Sequence, residues 1–210
     1  PYTDQTLGTS GLRKPVPHIM QPHYVELFMQ SVFDVLDVAG ATLVLGGDGR
    51  FFNDRAIQTI LKMAVANRVS HIVVGRGGLL STPAASALIR ARKAKAGIIL
   101  SASHNPGGPD GDFGIKINAA HGGPIPVSVS DAIHQRSRIC DRYQILAGDD
   151  FSLAEEGRLP PLDQGTSVTT ISEVVTWATC PRKHLLEHVV GDLQRDDGRA
   201  DGAADDALRA

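Results

Sequence analysis

The chain from residue 97 to residue 107 reads Gly-Ile-Ile-Leu-Ser-Ala-Ser-His-Asn-Pro-Gly, and this stretch carries the clearest structural signal in the sequence. A short apolar run that stops at serine, asparagine, proline and glycine is typical of a buried strand that ends in a loop. Two earlier stretches, 41–49 and 71–78, repeat the pattern, each with an apolar run that stops at glycines. The three stretches predict three strands of one sheet.

Segments with helical spacing of apolar residues lie between these strands. A helix over residues 23–37 precedes the first strand. A second helix is expected to begin with Asp54 as its cap, and a third has Thr82 as N-cap, Pro83 at N1 and its end near Lys95. Strands that alternate with helices predict a parallel sheet with right-handed crossovers. Ligands of such sheets bind beyond the carboxyl ends of the strands, where all three glycine-rich loops lie.

The composition of the chain divides it into three parts. We expect an α/β domain over 1–145, a connector with a helical segment over 146–190, and an acidic tail over 191–210. The last twenty residues hold six aspartates and three arginines with few large apolar groups. A segment of that kind can bury little surface, so a poorly ordered C-terminal extension is predicted.

Charge and cysteine content exclude several classes of protein. The 210 residues carry a net charge of −2, which argues against binding nucleic acid or a membrane through bulk charge. No apolar run approaches the ~20 residues that a membrane span needs. The two cysteines, Cys140 and Cys180, cannot form a disulfide framework and suit a reducing compartment. We therefore expect a cytoplasmic protein without a membrane partner.

The loop after the third predicted strand carries the residues best suited to chemistry. Ser103 follows a buried strand, which would hold its hydroxyl rigidly toward the ligand crevice, as a nucleophile requires. His104 offers proton transfer, Asn105 offers hydrogen bonds, and Lys116 offers a positive charge for phosphate. Pro106 and the following glycines would set a tight turn that a bulky anion can approach. The alternative is a plain polar turn, because the same residue types dominate turns.

A second cluster lies near the start of the chain, in Gly8-Thr9-Ser10-Gly11-Leu12-Arg13-Lys14. Thr9, Ser10 and Arg13 suit phosphate binding, because a guanidinium donates two parallel N–H bonds to phosphate oxygens. An ordinary surface turn explains the same residues.

The loop after the first predicted strand reads Gly46-Gly47-Asp48-Gly49-Arg50-Phe51. Asp48 and Arg50 are expected to form a loop cap and a surface ion pair, which contributes little stability. A role in phosphate handling is the alternative.

These three segments, together with Gly-Leu-Leu-Ser-Thr-Pro-Ala at residues 78–84, resemble the α-D-phosphohexomutases. The four motifs keep the order and spacing of that family over residues 1 to about 135. The segment 11–14 and the stretch 105–114 look like its phosphoglucomutase branch more than its phosphomannomutase branch. The resemblance implies an α/β fold of the family's first-domain type, with a mixed, mainly parallel sheet sandwiched by helices.

The resemblance also implies a reaction. The serine of the family's Ala-Ser-His-Asn-Pro segment is phosphorylated, and it corresponds to Ser103. The phosphoserine would interconvert glucose 1-phosphate and glucose 6-phosphate through a glucose 1,6-bisphosphate intermediate, with hexose phosphates as the small-molecule partners. Mg²⁺ would bridge the phosphoserine and an aspartate loop. Such phosphoryl transfer depends on charge neutralisation and in-line positioning.

Individual residues take their expected roles from the same resemblance. Ser103 is the expected nucleophile and, through its phosphate, a Mg²⁺ ligand. His104 and Lys116 would assist proton transfer or charge balance. Arg13 would hold the phosphate, and Asn105 would fix the loop. The residues expected to contact substrate or phosphate are Thr9, Ser10, Arg13 and Asn105.

The resemblance covers only the first domain of the family. The family's Asp-Gly-Asp-x-Asp-Arg metal loop has no counterpart in the 210 residues, and Asp110-Gly111-Asp112 follows the Ser-His-Asn-Pro segment and lacks a third carboxylate. We therefore expect a truncated mutase with feeble activity in isolation, and the remaining mutase domains are candidate partners. The alternative is a catalytically inactive remnant that binds a sugar phosphate or a protein.

Residues 177–186, Trp-Ala-Thr-Cys-Pro-Arg-Lys-His-Leu-Leu, resemble the Cys-Pro-Arg-Lys segment that opens RecB-like nuclease domains. The motif is short and lacks the acidic and lysine residues of a nuclease, so nucleic acid is not expected as a partner. A diverged mutase continuation is the alternative for this region, and a small buried apolar residue is the alternative for Cys180.

Overall fold

The computed structural model describes residues 1–8, 11–153, 157–158 and 167–171. Within these ranges one sheet has the strand order β1-β5-β4-β2-β3-β7-β6. The strands are β1 (Leu12–Pro15), β2 (Thr42–Gly47), β3 (His71–Leu79), β4 (Ala96–Leu100), β5 (Asp112–Ala119), β6 (Gly157–Arg158) and β7 (Ser167–Ile171). The helices are α1 (Val16–Ile19), α2 (Tyr24–Leu36), α3 (Asn53–Ala66), α4 (Thr82–Ala91) and α5 (Val127–Ser137).

Parallel strands form the centre of the sheet. β2 pairs in parallel with both β3 and β4, and β3 pairs in parallel with β7. On one side β5 joins β4 and β1 joins β5, both antiparallel, and on the other side β6 joins β7 antiparallel. The three strands predicted from the apolar runs are β2, β3 and β4. The mixed sheet with a parallel centre confirms the predicted fold class.

Helices cover both faces of the sheet, as predicted. Side chains alternate across a strand, so Leu43 and Leu45 of β2 point to one face and Val44 to the other. Leu43 and Leu45 belong to the main apolar core, which they share with α2 and α3. On the opposite face α4 packs against β2 and β4. A Cβ added at Gly97 would lie 2.4 Å from Cδ1 of Ile89, so the glycine allows α4 to approach β4 closely.

The end of β3 and the start of α3 differ from the prediction. β3 does not end at Gly75 but continues to Leu79, because its pairing with β2 resumes at Gly47 after an irregular stretch. α3 begins at Asn53, so Asp54 lies in the first turn of the helix and is not its cap.

The third predicted helix, α4, also has different ends. Ser81 is its N-cap and Thr82 its first residue, because Ser81 is extended (φ −74°, ψ 154°) and its hydroxyl accepts a bond from a backbone N–H of the first turn. The helix ends at Ala91 and not near Lys95. Lys93 adopts the left-handed region with φ 49°, which stops the helix early.

After α5 the chain runs back along α3 in a return segment, residues 144–153, before it reaches β6 and β7. Gln58 holds this return segment with both atoms of its amide: Nε2 donates to Phe151 O and Oε1 accepts from Phe151 N, each at 2.9 Å. Lys62 adds an ion pair with Asp150 at 2.6 Å. The return segment is thereby fixed to the domain before the chain pairs with the sheet again.

Some predictions fall on residues outside the described ranges. These are the helical segment around 177–190, the acidic tail 191–210, the nuclease-like segment 177–186, and Thr9 and Ser10. In the helices that the structure does describe, none is long and apolar enough to cross a membrane.

Candidate functional site

The candidate site lies at the carboxyl ends of β2 and β4. It is formed around the serine loop, residues 101–111, which joins β4 to β5. The loop closes tightly, because the N–H of Asn105 donates to Ala102 O at 3.2 Å and the N–H of Asp112 donates to Pro106 O at 2.9 Å. Close packing of backbone on backbone requires glycine here: a Cβ at Gly114 would lie 2.3 Å from Ser101 O. The turn of the β4–β5 hairpin is therefore tightly closed by backbone contacts.

Ser103 is exposed at the crest of this loop. Its φ of 57° places it in the left-handed region, which is uncommon for a residue with a side chain and is a form of strain found at functional sites. Its N–H donates to Ser101 Oγ at 3.0 Å. Its Oγ accepts a hydrogen bond from Lys116 Nζ at 2.7 Å. The hydroxyl is thus both accessible and adjacent to a positive charge.

Lys116 lies in β5 among other cations. Burial lowers the pKa of Lys116, and the neighbouring charges of Arg13 and Arg50 lower it further, while Asp48 acts in the opposite direction. The lowered pKa means that the environment disfavours the charged form of Lys116, mainly through burial and in part through repulsion by the two arginines. An anion bound at Ser103 would relieve this repulsion, so the electrostatics of the site favour a phosphate.

Arg13 reaches the loop from the neighbouring strand β1. Its Nη1 donates to Asn105 Oδ1 at 3.2 Å, and Asn105 Nδ2 donates to Asp112 Oδ2. Arg13 Nε is buried and has no hydrogen-bond partner among the described residues. Asn105 therefore connects the arginine of the first motif to the start of β5.

Asp48 and Arg50 form the predicted ion pair, and the arginine is more enclosed than a surface pair implies. The Arg50 side chain is only 8% exposed, and its Nη2 lies 2.8 Å from Asp48 Oδ2. Burial alone would raise the pKa of Asp48, but hydrogen bonds from Arg50 and Ser101 and the Arg50 charge hold it below its ordinary value. Arg50 also donates to Ser103 O at 3.1 Å. The ion pair is therefore formed with Asp48 partly exposed at the surface and with the Arg50 side chain enclosed against the serine loop.

A cavity of ≈ 370 Å³ opens beside β5 and α5. Gly8, Gly11 and Lys116 line it on one side, and Ser130 and Asp131 of α5 line it on the other. Its volume is that of a typical small-molecule pocket, which is about 300–1,000 Å³. A small ligand in this cavity would be within reach of Lys116.

The structure brings four of the predicted site residues together. These are Arg13, Ser103, Asn105 and Lys116. His104 is exposed beside them, and its side chain has no hydrogen-bond partner among the described residues. Thr9 and Ser10 lie outside the described ranges. Sequence reasoning missed the carbonyl contacts of Arg50 and the anchoring carboxylate of Asp112, because neither contact leaves a local pattern in the chain.

The described residues do not form a metal site. No three histidine, cysteine, aspartate or glutamate side chains cluster within these ranges. Mg²⁺ prefers several oxygen ligands, whereas the Ser103 hydroxyl already contacts the Lys116 cation. The Asp112 carboxylate is hydrogen-bonded to Asn105. Without a phosphate the site does not fit the cation.

Comparison with known proteins gives consistent matches. Residues 4–142 match the family model described as phosphoglucomutase/phosphomannomutase, alpha/beta/alpha domain I. A phosphoglucomutase of Rhizobium radiobacter is 54% identical over 158 residues, which are 75% of this chain and 29% of that protein. A cytoplasmic phosphoglucomutase of Bromus inermis is 53% identical over 154 residues, which are 69% of this chain and 26% of that protein.

A solved structure agrees with these sequence matches. The open form of the exocytosis-sensitive phosphoprotein pp63/parafusin, a phosphoglucomutase from Paramecium, superposes with a TM-score of 0.79 and 38% identity. The match covers 87% of this chain and 35% of that chain. The 210 residues thus span roughly a third or less of the length of these relatives.

Proposed function

Because the chain belongs to the phosphoglucomutase/phosphomannomutase family, we propose that it carries the phosphoserine of a phosphoglucomutase-type phosphotransferase, at Ser103. The substrates proposed are glucose 1-phosphate and glucose 6-phosphate, with glucose 1,6-bisphosphate as intermediate and activator. Relatives that are named phosphoglucomutases support this branch of the family. One of them is named as cytoplasmic, which supports a cytoplasmic location for this chain.

The contact between Lys116 and Ser103 is the single observation that carries the proposal. The Nζ–Oγ distance is 2.7 Å, and the hydroxyl is exposed. Fixed positive groups placed where charge develops are the largest contribution to many phosphoryl transfers. A phosphate on Ser103 would have this ammonium beside it and two arginines nearby.

In the proposed step, Ser103 Oγ attacks a phosphorus atom of glucose 1,6-bisphosphate. The Oγ–P bond forms while the bond between phosphorus and the sugar oxygen breaks, and the serine proton is transferred to the released sugar oxygen, which becomes a hydroxyl. The products are phosphoserine and a glucose monophosphate. Transfer back from the phosphoserine to the other hydroxyl would complete the interconversion of the two monophosphates.

The remaining site residues have supporting roles in this proposal. Lys116 and Arg13 neutralise the charge of the phosphoryl group, and Asn105 holds the loop through Arg13 and Asp112. His104 is exposed next to the serine and is suited to carry a proton. Thr9 and Ser10 are proposed as further phosphate contacts.

Mg²⁺, which the family resemblance implies, would find oxygen ligands on a phosphate at Ser103. Bound there, it would supply charge neutralisation for the transferred group. We propose that the carboxylate ligands of Mg²⁺ are supplied by the remaining mutase domains, which would act as a partner of this chain. The chain spans 29% of its relative from Rhizobium radiobacter, and phosphoryl uptake with very slow turnover is expected from the chain by itself.

A second candidate function is an inactive remnant that binds sugar phosphates or a protein. It is favoured by the lack of a cluster of metal ligands among the described residues. Intact mass spectrometry before and after incubation with glucose 1,6-bisphosphate distinguishes the two. A mutase-derived phosphotransferase gains one phosphoryl mass that phosphatase removes, whereas a remnant keeps its original mass.

A further inference from the structure

Arg50 makes contacts with three parts of the site at once. Its Nε donates to Asp48 Oδ1 at 2.9 Å, its Nη2 donates to Ser103 O at 3.1 Å, and its Nη1 donates to Asp112 O at 2.7 Å. Ser103 lies at the crest of the loop, and Asp112 begins β5. One guanidinium therefore holds both the crest and the end of the serine loop.

The donors of Arg50 are almost all used within the protein. A guanidinium has five N–H groups, and Arg50 directs one at Asp48 from Nε, two at Asp48 and Ser103 from Nη2, and one at Asp112 from Nη1. Its side chain is also only 8% exposed. These two facts argue against Arg50 as a phosphate ligand and for a role in shaping the loop.

Asp48 fixes the guanidinium in this position. Two of its oxygens accept from Arg50, at 2.9 Å for Oδ1 and 2.8 Å for Oδ2. The N–H of Asp48 donates to Leu100 O at 3.0 Å, which joins the pair to the end of β4. Asp48 and Arg50 together thus form a clamp, which contacts β4 before the serine loop and β5 after it.

The backbone of Ser103 is the part of the loop that needs such support. With φ at 57° the residue adopts a conformation that is unfavourable for a side chain and persists only where surrounding contacts enforce it. The direction of its carbonyl is fixed by the bond from Arg50. Loss of that bond would free the peptide to rotate and carry Oγ away from Lys116.

We propose that Arg50, held by Asp48, is the positioning residue that keeps Ser103 in its left-handed conformation and its hydroxyl in line for phosphoryl transfer. The proposal deepens the proposed function and depends on Ser103 as the phosphoryl acceptor. Arg50 acts through the backbone of the loop and does not contact the phosphoryl group.

The experiment compares the full chain with three variants: Arg50→Gln, Arg50→Lys and Arg138→Gln. Arg138 is an exposed arginine at the end of α5 and serves as the matched control. Two quantities are measured: the rate of phosphoryl uptake at Ser103 from glucose 1,6-bisphosphate, by intact mass, and the amide hydrogen exchange of residues 101–112. Thermal unfolding verifies that each variant is folded.

We expect Arg50→Gln to slow phosphoryl uptake by about tenfold or more, because small misplacements of a reacting group are costly. Exchange of residues 101–112 should become faster in this variant and stay unchanged in Arg138→Gln. Arg50→Lys should resemble Arg50→Gln, because a single ammonium cannot replace the forked contacts of a guanidinium. Full recovery by lysine would mean that Arg50 acts through its charge, and would overturn the proposal.

The remaining outcomes separate this proposal from the proposed function. If the parent chain takes up phosphate and Arg50→Gln does so at the same rate, the positioning role is wrong and the function stands. If the parent chain takes up no phosphate, the proposed function fails, and the positioning role in phosphoryl transfer fails with it. Faster exchange of residues 101–112 in Arg50→Gln would then show that the clamp is structural only.

Discussion

Lys116 donates a hydrogen bond from Nζ to Ser103 Oγ at 2.7 Å, across thirteen residues of chain. The two residues meet because β4 and β5 pair antiparallel and place Lys116 opposite Ile99, close to the end of β4. The hairpin alone thus brings a cation to the hydroxyl, and no other domain is needed to form the contact. The arrangement makes Lys116 the first residue to test.

Lys116→Met should slow phosphoryl uptake at Ser103 by about 100-fold, the usual effect of removing one donor from a developing charge. It should not destabilise the fold. Because the pKa of Lys116 lies below its ordinary value of 10.5, its protonated form costs the folded state free energy, and the cost is relieved as pH rises through the folded-state pKa. We therefore expect a slightly higher free energy of unfolding at neutral pH, measured in urea.

Lys93→Met is the matched control, since Lys93 is an exposed lysine outside the serine loop. It should leave both the uptake rate and the stability unchanged. A marked loss of stability in Lys116→Met would contradict the view that the cations of this site repel one another.

Gly114→Ala should destabilise the chain by about 2 kcal/mol, as overpacking of a tight site usually does. The added Cβ would lie 2.3 Å from Ser101 O, and the contact is between backbone segments that cannot move apart without opening the hairpin. Gly107→Ala is the control, because nothing lies within 4 Å of a Cβ there. Equal unfolding free energies of the two variants in urea would show that the loop is not tightly closed.

Asp48→Asn should make the stability less sensitive to acid. The folded-state pKa of Asp48 lies below 3.8, so its ionised form stabilises the fold above that pH, and the stabilisation is lost as pH falls through the folded-state value. We expect the variant to lose about 1 kcal/mol at pH 7, as for hydrogen bonds to a partly exposed charge. Its unfolding free energy should then change less than that of the parent chain on acidification.

Asp4 also has a lowered pKa, so part of the acid sensitivity should persist in the Asp48→Asn variant. A parallel decline of both proteins between neutral pH and pH 3 would show that the Asp48–Arg50 pair contributes nothing.

The centre of the fold was predictable from sequence because its signals are local. β2, β3 and β4 are apolar runs that end at glycine or serine, and each lies within one continuous stretch of chain. The family resemblance, drawn from four loop motifs, is confirmed by the match of residues 4–142. Motifs that are contiguous in the chain can be recognised without knowledge of the fold.

The edge of the sheet and the clamp were not predictable in the same way. β5 alternates apolar Phe113, Ile115 and Ile117 with more polar neighbours, but its first residues also belong to the serine loop and were interpreted as part of that motif. The contact between Arg50 and Ser103 spans 53 residues and depends on the backbone direction at Ser103. No pattern of residue types predicts the direction in which a backbone carbonyl points.

The position of the phosphoryl group on the chain decides whether Ser103 is the acceptor. The full chain, Ser103→Ala and the control Ser128→Ala, a change at an exposed serine, are incubated with glucose 1,6-bisphosphate, digested, and the phosphorylated peptide is identified by mass spectrometry. The phosphoserine proposal predicts one phosphoryl group on Ser103 in the parent chain and in Ser128→Ala, and none in Ser103→Ala. Uptake that persists in Ser103→Ala, or no uptake by the parent chain, would contradict it.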